Sequence, residues 1–149
     1  MTFKPFALLT LVVLSLTACG GVDPDSPLGK RKALFKQMMT LSEDMGGMLR
    51  GRLPYDGAAF ADYARELDAL ARQPWQHFPQ VREDERSSAR EDVWQRQERF
   101  RQLARELEES TAALVRVVAQ PELKPADLRV PMQQVEDSCE GCHQEFRAY

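Results

Sequence analysis

Cys139, Cys142 and His143 stand near the C-terminus in the order Cys-Glu-Gly-Cys-His. This Cys-x-x-Cys-His spacing is the covalent attachment pattern of a c-type haem. The two thiols form thioethers with the haem vinyl groups, and the adjacent histidine offers an imidazole nitrogen to the iron. On a helix, Cys139 and Cys142 share a face, and His143, one turn beyond Cys139, lies on the same flank. Other chemistries use these residue types. A Cys139–Cys142 disulfide is the simplest, and a thioredoxin-like redox pair expects a βαβ setting that nothing in this sequence resembles. Structural zinc needs about four ligands. His77 is the only other histidine and Cys19 the only other cysteine. Haem attachment is therefore the expected chemistry, with the disulfide as its alternative.

Residues 1–18 stand apart from any fold. Lys4 supplies a positive start, and the apolar run that follows to Leu16 is too short to span a membrane comfortably. It ends in Leu16, Thr17, Ala18 and Cys19, which resembles a bacterial lipobox, in which the cysteine thiol receives a diacylglyceryl group. A plain secretory signal with a chance cysteine is the simpler alternative. Gly20 and Gly21, then an Asp/Pro/Ser stretch, favour the lipoprotein. Residues 1–18 are thus expected to be a signal peptide, 19–27 a lipidated tether and 28–149 the folded domain. The membrane is then a partner through lipid on Cys19, facing the periplasm, and Gly20 rather than aspartate favours the outer membrane. One cysteine for lipid and two for haem leave none for a structural disulfide.

The remainder is one domain's worth of chain. Formal charge is −3 overall and −4 once Lys4, the one charged side chain of residues 1–18, is removed. Mild acidity with both signs interspersed describes a solvated surface and argues against a nucleic-acid site. No acid–base pair, nucleophile constellation or second metal site suggests a turnover enzyme.

The elements that must position the motif read as helices. Residues 28–50 carry Leu34, Phe35, Met38, Leu41, Met45, Met48 and Leu49 as a wide apolar stripe ended by Gly51 and Pro54. A second helix starts near Asp56, a suitable N-cap, with Phe60, Tyr63, Leu67 and Leu70, and stops before Pro74. A polar loop to about residue 88 holds Trp75, His77 and Phe78, both tryptophans being expected to pack in the core or at a bundle end. A third helix is expected over 88–119, with Arg and Glu dense on its outer face. The last begins after Lys124 and Pro125, with Pro131 kinking it or delaying its regular start. Leu128, Met132, Val135, Cys139, Cys142 and Phe146 follow at helical steps, which places both thiols on the core-facing stripe. Four amphipathic helices imply an all-α, antiparallel four-helix bundle.

A Cys-x-x-Cys-His motif on the last helix of such a bundle resembles the class II c-type cytochromes, the cytochrome c′ family. Arg31 and Lys32 opening the first helix, Gly51, Pro54, Tyr55 and Asp56 ending it, and Val93 and Trp94 opening the third resemble further landmarks of that family. The resemblance implies one covalent haem c on Cys139 and Cys142, with His143 as the proximal iron ligand. It places Arg147 at a basic position near the proximal haem face, though a cation ending a helix also suits the helix dipole. It puts Arg31 at the family's arginine and Phe35, four residues on, at the distal position.

An apolar residue there implies a five-coordinate, high-spin iron that binds nitric oxide or carbon monoxide, with Phe35 as a lid. Methionine there implies a six-coordinate, low-spin electron carrier, and Met38, ahead of Met39, is the candidate should the register shift by about one turn. A methionine on an apolar stripe is more often packing than ligand. His77, in its loop, is a weaker candidate. The partners implied are a redox protein, a small gas, or both, and a homodimer through the first two helices. The alternative from another class is a haem-free envelope lipoprotein with a Cys139–Cys142 disulfide.

Overall fold

The computed structural model describes residues 21–82, 86–121 and 123–148. The expected signal sequence and Cys19 lie outside them. Four long helices form the frame: α1 (Pro27–Leu49), α2 (Gly57–Ala71), α3 (Gln97–Val118) and α4 (Arg129–Phe146). Among the described residues no helix is long and apolar enough to cross a membrane.

Local chemistry sets the helix ends. Ser26 Oγ accepts from the Gly29 amide at 3.0 Å, satisfying a first-turn donor, and Pro27 follows at the first helical position, where its missing N–H is harmless. Gly51 leaves α1 at φ 73°, a left-handed conformation suited to glycine. Gly47 O then accepts from Arg52 N and Leu53 N at 2.9 and 3.2 Å, closing the helix end. Asp56 Oδ1 caps α2 by accepting from the Ala58 and Ala59 amides at 2.9 and 3.0 Å. Pro131 occupies the third position of α4, after a 3-10 turn over Pro125–Leu128, so its absent N–H again falls among donors that lack helical partners.

The third helix differs from expectation. A single helical turn, Asp92–Gln95, precedes a break at Arg96 (φ −121°, ψ 47°), and α3 begins only at Gln97. The backbone of residues 88–90 is committed elsewhere. Arg90 N donates to Phe146 O at 2.9 Å and Ala148 N to Ser88 O at 2.8 Å, an antiparallel pairing around Ala89 and Arg147. Peptide groups used across the bundle cannot also make helical bonds. The expected polar loop likewise contains a 3-10 turn, Pro74–His77.

Sequential long helices pack side by side, and cross-links fix their antiparallel sense. Thr111 Oγ1 donates to Asp68 Oδ1 at 2.8 Å while Arg72 reaches Glu108 at 3.5 Å, so α2 and α3 run in opposite directions. Arg50 meets Glu136 at 3.1 Å, joining the end of α1 to the first half of α4. The main core gathers Met38, Leu41, Met45, Phe60, Leu67 and Leu114, among others. Removing Met45, Phe60 and Leu67 fully from water contributes about 1.5–3 kcal/mol each. A second cluster of Val93, Phe100, Leu103 and Phe146 lies where α3 starts and α4 ends.

Candidate functional site

The haem motif occupies the last turns of α4, with α3 packed alongside. Cys139 packs against the main core and Cys142 against the second cluster, so the two thiols sit where the two apolar regions adjoin. Both are half-buried, and both are free thiols. Burial, with the neighbouring Cys142 and Glu136 adding to it, pushes the Cys139 thiol up to about 11. Burial first and Glu145 second push Cys142 up to about 11, against an opposing pull from Arg99. His143 moves the other way: desolvation, then the charge of Arg147, lowers its pKa. Both effects favour the neutral imidazole, the form that can ligate a metal.

Arg147 lies just beyond the helix, in extended conformation, with its amide donating to His143 O at 3.0 Å. The arginine is thus placed close enough to His143 to act on its charge. Glu145, which the sequence alone does not single out, is gripped from the start of α3: Arg96, just before the helix, donates to it through Nη2 at 2.8 Å and Arg99 of α3 donates twice, at 3.0 and 2.7 Å. Those hydrogen bonds, Arg99 foremost, hold its carboxyl below the usual range. The only sequence signal for Glu145 is its place one helical turn after Cys142.

The opposite wall is aromatic. Phe35 meets Trp75 edge-on at 6.0 Å and Phe78 at 6.5 Å. Phe100 continues the array, 5.8 Å from Trp75, 4.8 Å from Phe78 and 5.4 Å from Phe146. The structure therefore brings Phe35 of α1 into one aromatic array with Phe146, which follows the motif on α4. Phe35, Trp75 and Cys139 all pack against the same core cluster. Met38 is buried in that core, whereas Met39 is 54% exposed and faces away from it. His77 is half-buried in the 3-10 turn, and its carbonyl accepts from Arg31 Nη1 at 2.9 Å.

Arg31 is a buried cation on α1. Besides His77 O it donates to Ser87 Oγ at 3.0 Å, and its guanidinium lies 4.7 Å from the Phe78 ring centre. It fastens the segment after α2 to the start of α1. The two tryptophans, alike in the sequence, differ in their polar ends. Trp94 Nε1 donates to Pro79 O at 2.7 Å, but Trp75 Nε1 is buried with no acceptor among the described residues. An orphaned donor in an aromatic wall is costly unless a further acceptor completes it. Two half-buried thiols one helical turn apart, an imidazole biased to its neutral form, an apolar aromatic wall and an indole N–H without an acceptor among the described residues together suit a large apolar macrocycle bearing carboxylates. The residues present fit haem.

Comparison with known proteins agrees. The sequence matches the family described as Cytochrome C′ over residues 26–147. It is 30% identical over 131 residues to a cytochrome c′ from Halomonas halodenitrificans, covering 85% of this chain and 98% of that one. The fold resembles cytochrome c prime from Shewanella frigidimarina with a TM-score of 0.79 and 24% identity, over 87% of this chain and 99% of the other. It also resembles a nitric oxide complex of a variant cytochrome c prime from Alcaligenes xylosoxidans, with a TM-score of 0.76 and 22% identity over 87% and 98% of the two chains.

Proposed function

The chain belongs to the cytochrome c′ family, a family of bacterial periplasmic proteins that bind covalent haem c, and from that premise we propose a lipid-anchored haem protein that binds diatomic gases, transfers electrons, or both. When bound, haem c supplies an iron that changes oxidation state or takes a small ligand. Cys139 and Cys142 would hold it through thioethers, and His143 would offer its imidazole nitrogen to the iron. Burial first, and the charge of Arg147 second, disfavour protonation of that imidazole. Phe35, braced edge-on by Trp75 and Phe78, would face the haem with a side chain that cannot ligate iron. Trp75 Nε1, which finds no acceptor among the described residues, would be a donor for a haem carboxylate.

The observation that carries this reading is the placement of Phe35 in the aromatic wall while Met39 is exposed and Met38 is packed in the core. An apolar wall offers an iron no protein ligand from that side and would leave room for a small gas, and a structure of a variant cytochrome c prime from Alcaligenes xylosoxidans holds nitric oxide. A methionine-ligated electron carrier would need Met38 drawn from its packed position. Lipid on Cys19, with Gly20 following, directs the protein to the outer membrane, and α1 and α2 supply a face for a homodimer.

Expression in the periplasm with the haem maturation system tests this reading. A pyridine haemochrome of the thioether-linked type and a high-spin reduced spectrum that responds to carbon monoxide are the expected results. Absence of covalent haem would sink the reading. A low-spin spectrum indifferent to carbon monoxide would replace Phe35 by Met38.

A further inference from the structure

Gly21 lies two residues beyond Cys19, and its carbonyl accepts from Arg86 Nη1 at 3.2 Å. The chain after it folds back at once. Ser26 donates to Asp23 O through its amide at 3.2 Å and its hydroxyl at 2.6 Å, and Asp25 N donates to Asp23 Oδ1 at 2.9 Å. Gly29 admits this turn, since a Cβ there would meet Asp23 O at 2.1 Å. Residues 21–26 are therefore a fitted turn on α1, although the sequence reads as a tether there. Two peptide units span at most about 7 Å, so Cys19 lies within that reach of Gly21.

Gly21 belongs to one particular end of the bundle. The start of α1, the turn Pro74–His77, residues 86–96 and the end of α4 meet there, joined by Arg31 to His77 and Ser87 and by residues 88–90 to 146–148. The haem motif occupies the half of α4 that runs into this end.

We infer that the lipidated protein stands with its haem-bearing end against the surface of a phospholipid bilayer. The inference rests on the lipid-anchor reading of Cys19. So short a link keeps this end at the headgroups, while the far end of α1 lies about 34 Å away along a helix of 23 residues. Val81, 70% exposed, belongs to the segment after the Pro74–His77 turn and offers an apolar side chain to the interface, while its neighbour Arg82 lies 3.8 Å from Glu91. By sequence Glu83, Asp84 and Glu85 stand between Arg82 and Arg86, so the stretch carries no net positive charge and the link rather than charge sets the orientation.

Hydrogen exchange on the lipidated holoprotein in phosphatidylethanolamine/phosphatidylglycerol vesicles tests the orientation. The control carries a Gly/Ser spacer of about twenty residues between Gly20 and Gly21, with a mean reach near 25 Å. Peptides from residues 78–96 are expected to exchange several-fold more slowly in the native protein than in the spacer form. Peptides from 50–56, at the opposite end, should not change. Equal exchange at 78–96 in both forms, or protection at 50–56 instead, overturns the orientation. Intact mass without a diacylglyceryl group on Cys19 overturns the anchor reading and the orientation with it. A lipidated chain with an unprotected haem end overturns the orientation alone.

Discussion

Phe35 and Met38 lie about one helical turn apart on α1 yet make opposite predictions. Phe35→Ala removes a half-buried ring from its contacts with Trp75 and Phe78. It should destabilise the holoprotein by about 2 kcal/mol, less than emptying a fully buried ring, and should speed carbon monoxide binding by opening the distal side. Met38→Ala should cost about 2–4 kcal/mol, because the side chain is 5% exposed in the core, and leave the haem spectrum unchanged. Stopped-flow binding and denaturant midpoints read the two effects separately. A spectral change in Met38→Ala would assign the ligand to Met38. The thiols carry a further consequence. With pKa values near 11, only ~0.01% of each is thiolate at neutral pH in the haem-free chain. Alkylation of that chain should therefore be slow at pH 7 and rise steeply towards pH 11. Rapid labelling at neutral pH would contradict the burial of both sulfurs.

Between elements, polar cross-links hold the bundle to a single register. Thr111 is fully buried, and its hydroxyl spans from α3 to Asp68 on α2. Thr111→Val should lower stability by about 1–2 kcal/mol through the lost bond and the loss of a partner for Asp68. The haem spectrum should persist, since Thr111 sits about 16 Å along α3 from Phe100. Glu145 gives a pH-dependent counterpart. Its folded pKa lies below the ordinary value because of Arg99 and Arg96, so its contribution is present above the unfolded pKa and lost as pH falls through the folded one. Glu145→Gln should therefore be less stable than the parent at neutral pH and converge with it in acid, which melting curves across pH would show. Helical periodicity made all four long helices legible in the sequence, together with the face that carries Cys139 and Cys142. The start of the third was not legible, because residues 88–90 spend their backbone bonds on residues 146–148, more than fifty positions away and outside any local window. Trp75 was legible as packing, but its orphaned N–H emerges only once the neighbours from α1 and α3 are in place.

For the whole molecule, the motif and the four helical stripes specify family and fold, whereas assembly depends on surfaces the core pattern leaves free. The α1 face away from the core is one such surface. Ala33, Lys36, Gln37 and Thr40 line a shallow groove there with Leu41 and with Glu66 of α2, and Met39 beside it is exposed. Ala33 and Thr40 are small residues two turns apart, which lets a second helix approach closely between the longer side chains. A two-fold pairing would set this groove against its own copy, so Lys36 of one chain would face Glu66 of the other and each contact would occur twice. Ala33→Arg combined with Thr40→Arg fills the approach and adds two like charges that the symmetry doubles. Sedimentation of the holoprotein without its lipid should show a dimer for the parent chain and a monomer for the double variant, both with the same haem spectrum. A monomeric parent, or a variant that still dimerises, would move the interface off α1 and leave the haem site as described.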